Sequence, residues 1–374
     1  MATADVVVVG GGIAGASAAA ELACIARVVL VEREAQPGYH STGRSAALFS
    51  ETYGNAAIRA LTRASRPFFE AWGEGFAEHP ILTPRGALVV ALPGQDAALD
   101  EAWGELSRLD PTIRRLDPSE ARGLVPVLRP DAVAGAIHEP GAMDIDVHAL
   151  HQGYLRLFRR RGGTVMTDAP VHELSRNGGW TVRTPAGDVE AAVVVDAAGA
   201  WADEVAGLAG VPPIGLVPKR RTAAIVPAPA GIDARAWPLT VDVGETGYFK
   251  PESGRLLVSP ADETPVPPCD VQPDDIDVAL AIERLTRLAA IEVRRVERKW
   301  AGLRSFVADK TPVVGFDQLA PGFFWLAGQG GYGIQTAEGI ARLATALIAG
   351  APSPADPVAL GLDPVQLSPA RFLR

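Results

Sequence analysis

Cysteine is scarce in this chain: 374 residues hold two, Cys24 and Cys269. They form neither a CxxC pair nor a Cys/His cluster, so no disulfide framework and no zinc site is implied, and a reducing compartment fits. Histidine is scarce as well, with six residues, and no pair has metal-ligand spacing with a third ligand nearby. No metal is expected. His148 and His151, at i and i+3 in "DIDVHALHQGYLRLFRRRG", read as the polar face of an amphipathic helix. Basic clusters are nearly absent; the formal charge is −9, and only short runs such as 159–161 are basic. That excludes nucleic acid as a partner. Repeats at solenoid or propeller periods are lacking. One apolar stretch, Val6 to Glu34, raises the question of a membrane span or an export signal. The residues before it, MATAD, carry an acid and no base, unlike a signal peptide. Gly10, Gly11, Gly12 and Gly15 interrupt it, unlike a spanning helix. No stable membrane insertion is expected, and the chain reads as cytoplasmic.

The same stretch reads better as strand, turn, helix, strand. Val6–Val9 and Val28–Val31 are β-branched runs of the kind that fill buried parallel strands, and Ile13–Ala26 is Ala-rich and helical. The turn is Gly10-x-Gly12-x-x-Gly15. Its glycines permit a tight turn, a close backbone approach to a pyrophosphate, and packing of the helix on the sheet. The helix start, with Ile13 and Ala14, offers unpaired N–H groups to phosphates. Glu32, closing the second strand, is placed to accept hydrogen bonds from a ribose. The stretch is a dinucleotide pocket.

Further on, the pattern predicts a helix over roughly 55–72, a strand over 86–92, a polar helix in "GQDAALDEAWGELSRL", and the helix of His148 that stops at Gly162. A hairpin turned by Asn177-Gly178-Gly179 follows, then a second turn at Pro185–Gly187 and a buried strand at Ala192–Ala197. Short strands alternate with Pro and Gly from 215 to 260. Asp274 or Asp275 caps the helix "IDVALAIERLTRLAA". The C-terminal part is again strand, glycine loop, helix. The fold class is α/β with an α+β substrate part: a Rossmann-type domain over 1–80, 144–214 and 298–374, and a discontinuous mixed-sheet substrate domain over 81–143 and 215–297.

Three glycine-bearing segments follow apolar strands: 10–15, Ala197–Gly199 and Gly328–Gly333. A nicotinamide domain needs only the first, whereas an extended flavin dinucleotide touches several such turns. The cofactor expected is FAD. Five runs, "EREAQPGYHSTGRSAA", "DIDVHALHQGYLR", "DAAGAWAD", "WAGLRSFVAD" and "GQGGYGIQT", make the chain resemble the D-amino-acid oxidase-type FAD-dependent amine oxidoreductases, and among them the bacterial D-arginine dehydrogenases. The resemblance covers essentially the whole chain. It implies noncovalent FAD, in keeping with the absence of cysteine and histidine from "SFVADKTP". It implies oxidation of a D-amino acid to an imine by hydride transfer from the α-carbon to flavin N5, then hydrolysis to a 2-oxo acid and ammonia. It extends the flavin site to Arg33, to His40, Ser41, Thr42, Arg44, Ser45 and Ala46 in "HSTGRSA", to Val171, Ala198, Gly199 and Trp201, and to Gly330, Gly331, Tyr332, Gly333, Ile334, Gln335 and Thr336.

For the substrate, Arg304 in "GLRSF" offers a planar fork that matches a carboxylate. Tyr53 and Tyr248 fall where the resemblance places phenols over the substrate, and Arg221, Gly331 and Gln335 complete that shell. Only a neutral amine has the lone pair the reaction needs, so the rate should rise toward alkaline pH, and no histidine base is required. Where the arginine-specific relatives carry a Glu on a pocket strand, this chain has Ala87, and Leu48 replaces a polar residue. Neutral, apolar side chains are therefore expected. Alternatives are a secondary amine such as an N-alkyl amino acid, D-arginine itself, or a flavin-binding subunit or redox sensor without catalysis. The electron acceptor (quinone, oxygen or an artificial dye) is unknown; a quinone would suggest peripheral contact with the inner membrane.

Overall fold

The computed structural model describes residues 2–372. Its first sheet has Val6–Val9 at the centre, flanked in parallel by Val28–Val31 and Val193–Asp196. Thr164–Met166 extends one side, and Phe323–Ala327 with the antiparallel Val313–Phe316 extends the other. The central strands are buried on both faces, which is why they read as unbroken β-branched runs rather than alternating ones. Three helices, Ile13–Leu22, Val147–Arg160 and Ala337–Ile348, cover one face. Ala16, Ala19 and Ala20 of the first join the same core as Leu150, Tyr154, Leu343 and Ala344 of the others. Side chains this small let the helix backbones approach closely. A four-stranded sheet containing Glu173–Asn177, Gly179–Arg183 and Val189–Ala191 covers the other face through Trp180, Val182 and Val189. The hairpin turns where expected, at Gly178 with φ 77°. The first helix is shorter than expected: it ends at Leu22, and Cys24, Ile25 and Ala26 form a turn closed by bonds to Glu21 and Leu22 carbonyls.

The second sheet has nine strands. Val217–Pro227 pairs along its length with Arg298–Phe306, and the sheet continues through Arg255–Ser259, Tyr248–Glu252, Leu239–Asp242, Ala87–Ala91, Gly135–Glu139 and Arg114–Leu116. One feature differs from the sequence reading. Arg298–Phe306 belongs to this sheet, so the first-sheet part of the chain resumes after it rather than at 298. Residues 110–143, expected in the mixed-sheet substrate domain, contribute two of its strands. A small sheet of Leu48–Phe49, Met143–Ile145 and Leu82–Pro84 holds the 40–54 loop between the two large ones. Asp274 is the cap of Asp275–Leu288, accepting from Ile276 N–H at 2.9 Å. Among the described residues, no helix is long and apolar enough to cross a membrane.

One buried acid lies between helices of the first core. Tyr154 Oη donates to Glu338 Oε2 at 2.8 Å. Burial, with Glu21 nearby, pushes Glu338 up to about 7 from 4.5. A carboxyl with a raised folded-state pKa costs nothing below pH 4.5, where both states are protonated. Stability then falls as pH rises to about 7, because the unfolded chain releases its proton first. The full cost above pH 7 is about 3 kcal/mol. Glu338→Gln is expected to raise the melting temperature at pH 8 and leave it nearly unchanged at pH 4.5. An equal shift at both values would rule out ionisation as the cause.

Candidate active site

The first glycine turn sits at the carboxyl end of Val6–Val9. Gly10 has φ 105°, and a Cβ there would stand 2.5 Å from Ala197 O. A Cβ on Gly15 would stand 1.9 Å from Gly10 O, so the helix can start where it does only with glycine at that place. Glu32 accepts from Gly11 N–H at 2.7 Å and from Glu34 N–H at 2.9 Å, and Thr42 Oγ1 accepts from Ile13 N–H at 2.9 Å. His151 departs from expectation. It is buried on the apolar stripe of its helix, with Leu150, Tyr154 and Leu155, and its Nε2 lies 2.8 Å from Gly11 O. Burial first, and His148 next to it, hold its pKa low against the opposing bond to Gly11. A neutral ring that donates through Nε2 braces the turn; only His148 stays on the exposed face.

A cavity of about 1130 Å³ runs between the two large sheets. It is lined by every expected site residue except Gly15 and Thr336. Gly15 acts through packing. Thr336 is fully buried at the head of the last long helix, where its hydroxyl donates to Tyr332 O at 2.8 Å. On the wall nearest the sequence loop 40–46, Ser41 Oγ donates to Leu303 O at 2.7 Å, and His40 Nε2 lies 2.9 Å from Glu34 Oε1. The Arg44 guanidinium is already engaged by Val271 O and Ala301 O. Arg33 lies over the Trp201 ring at 4.8 Å.

The remaining lining gathers the residues expected at a substrate. Arg304 is partly exposed, to the cavity. Burial opposes its charge, but the phenols of Tyr53 and Tyr248 favour it, and the net direction is upward, so it stays cationic. Arg221 donates to Asp262 O at 2.9 Å, and burial together with the charge of Arg304 pulls it down. The Tyr53 and Tyr332 rings are 5.0 Å apart, and burial pushes Tyr332 up to about 12, so that phenol is neutral. Ala87, Val89, Leu239, Val241 and Leu48 give an apolar wall. Glu139 lines it too, an acid that the sequence reading of this wall did not include. It was hidden because its place depends on strand pairing: Ala87 and Glu139 are directly opposed in antiparallel strands and share a face.

The chain matches the FAD dependent oxidoreductase (DAO) family over residues 5–347. It belongs to that family. A DAO-family protein uses FAD, and the residues present fit such a group. Gln335 Nε2 is a buried donor on the cavity wall without a partner, while its Oε1 accepts from Ser50 N–H at 3.3 Å. At Gly330 and Gly331 a Cβ would collide with the Phe306 ring at 2.2 Å and the Arg304 guanidinium at 2.3 Å, so bare backbone faces the cavity there. Among curated relatives, rat (Rattus norvegicus) mitochondrial dimethylglycine dehydrogenase is 26% identical, over 99% of this chain and 45% of its own length. The chain thus spans under half of that relative. Glycine oxidase of Geobacillus kaustophilus is 25% identical, over 87% of both chains. The crystal structure of glycine oxidase from Geobacillus kaustophilus superposes with a TM-score of 0.86 at 22% identity, covering both chains completely, which shows the shared fold. These relatives carry the family-level resemblance, but not the finer likeness to D-arginine dehydrogenases.

Among the described lining residues, His40 is the only histidine, and no cysteine lines the cavity. The His40 ring is held between Glu34 and Trp201, 4.6 Å from the latter's ring. FAD is therefore expected to be noncovalent: acid precipitation should leave a yellow supernatant. A yellow pellet would point to a covalent link, with His40 the first candidate.

Proposed function

We propose that this DAO-family chain oxidises the C–N bond of an α-amino acid of D configuration. The substrate loses two electrons and two protons to become an imine, and water then gives a 2-oxo acid and ammonia. The observation that supports this best is Arg304: a cation deep in the cavity, acted on by phenols rather than by a carboxylate, beside the bare backbone of Gly330 and Gly331. A cation facing a cavity without a carboxylate partner is left uncompensated, and a substrate carboxylate supplies the missing anion through two parallel N–H···O bonds. Tyr53 and Tyr248 hold the same carboxylate from the sides. When bound, FAD supplies the two-electron oxidation. No histidine base is required: His40, the one histidine among the described lining residues, has its Nε2 2.9 Å from Glu34 Oε1, and the Tyr332 phenol is neutral. The amine therefore has to lose its proton to water before reaction, and kcat/KM should rise with pH toward the pKa of the free amine.

A second reading, oxidation of an N-methylated amino acid, draws on the dimethylglycine dehydrogenase relative. Anaerobic bleaching of the yellow colour by a panel of D-, L- and N-methyl amino acids separates them. D-Amino acids, D-norleucine and D-methionine among them, are expected to bleach it and release ammonia. Bleaching by N-methyl compounds alone would favour the second reading. Bleaching by L-amino acids alone would overturn the configuration. If no compound bleaches, the chain is a flavin-binding protein without this catalysis.

A further inference from the structure

Glu139 has no role in holding the amino acid's carboxylate or amine, yet it is a buried acid on the wall of the same cavity. The strand Gly135–Glu139 pairs antiparallel with Ala87–Ala91, and Leu239–Asp242 pairs parallel on the other side. Ala87 therefore has Glu139 on one flank and Leu239 on the other, all on one face. Because Ala87 ends at its methyl, it leaves the carboxyl of Glu139 reachable from the cavity. Ser50 Oγ lies 3.0 Å from both carboxylate oxygens, and Thr52 Oγ1 lies 2.9 Å from Oε2. Two hydroxyls supply at most two protons, whereas a carboxylate accepts at about four sites. Acceptor capacity is left over.

The charge is unbalanced as well. Burial pushes the pKa of Glu139 up, the bonds from Thr52 and Ser50 oppose that, and the charged groups acting on it are Asp110 and Glu51, both of its own sign. Arg59, which also lines the cavity, is spent on Gly54 O at 2.7 Å and Glu105 at 3.1 Å. Buried acids ordinarily sit beside a cation or a full set of donors. Here both are incomplete on the side that faces the cavity.

We propose that Glu139 is a specificity-determining residue: it selects substrates whose side chain runs along the apolar wall of Ala87, Val89 and Leu239 and ends in a hydrogen-bond donor, above all an ammonium or guanidinium. This rests on the amino-acid oxidation proposed above. The donor-bearing end completes the set around the carboxylate, as the substrate carboxylate completes the one around Arg304. The two anchors make the substrate span the cavity, with the reacting carbon between them.

D-Lysine and D-norleucine make the test, since they differ by the terminal ammonium. In the unaltered holoenzyme, kcat/KM is expected to be higher for D-lysine, with D-glutamine as the neutral-donor arm above D-methionine. In Glu139→Gln, the ratio of D-lysine to D-norleucine should fall roughly ten- to hundredfold, with flavin content unchanged. A wild-type ratio below one overturns the proposal without any variant. So does a ratio that Glu139→Gln leaves unchanged because both substrates fall together, the mark of a purely structural carboxylate. If D-norleucine itself reacts, either failure leaves the amino-acid oxidation standing. If no D-amino acid reacts, both proposals fall.

Discussion

Arg304→Ala is expected to lower kcat/KM for the amino acid by roughly a hundredfold to several thousandfold, the equivalent of ~3–5 kcal/mol. The loss is large because the variant strands the substrate carboxylate in a cavity where Tyr53 and Tyr248 offer hydroxyl hydrogen bonds but no fixed cationic fork. Arg221 does not replace it, since its Nε is taken by Asp262 O and Glu263 Oε1 lies 3.4 Å from its Nη2. Flavin content should change much less, because the residues proposed to hold the dinucleotide are the Gly10–Gly15 turn, Glu32 and Gln335. Arg304→Lys keeps the charge but not the planar fork, so it should recover part of the loss. Steady-state kinetics against one artificial acceptor, with flavin absorbance measured on the same samples, make the comparison. An unchanged kcat/KM in Arg304→Ala would remove this residue from the site.

What could be read from the sequence and what could not divide along physical lines. The glycine turns were legible because their requirement is local: Gly10 and Gly15 crowd each other across five residues, and spacing alone reveals that. Arg304 stood out because an arginine amid "WAGLRSF" has no neighbour in sequence to pair with. His151 was misread although a signal existed. It lies at i−3 from Tyr154 and i−4 from Leu155, on the apolar stripe and not opposite it. Glu139 was not legible at all. Its importance comes from the register that sets it against Ala87, and from hydroxyls of Ser50 and Thr52 on a loop nearly ninety positions earlier. Non-local strand pairing of this kind leaves no periodicity behind. The same holds for Arg298–Phe306: its partner is Val217–Pro227, so nothing local says which sheet it joins. The polar half of the pocket is thus the part that topology builds, and the glycine-turn half the part that local geometry builds.

That local geometry predicts different outcomes for two glycines three residues apart. At Gly15 an added Cβ would lie 1.9 Å from a backbone oxygen and 3.3 Å from Val8 Cγ1, with no flexible side chain to yield. Gly15→Ala therefore has to push the first helix off the sheet, at a cost of about 3 kcal/mol in stability, and flavin binding should be lost with it. At Gly12 the backbone is extended, with φ −71° and ψ −176°, a conformation any residue adopts. Its Cβ would meet only Thr42 Oγ1 at 3.3 Å, and it lines the cavity. Gly12→Ala should fold as well as wild type when both are stripped of flavin, because the protein itself has room for the methyl. The methyl instead occupies space the dinucleotide needs for its close backbone approach, and FAD affinity should fall roughly ten- to hundredfold, as expected for overpacking by one methyl. Melting curves of the stripped proteins and FAD titrations of the refilled ones give the two readouts separately. If Gly12→Ala binds FAD as tightly as wild type, the backbone at Gly12 does not approach the pyrophosphate, and the phosphate contacts must come from the Thr42 loop instead.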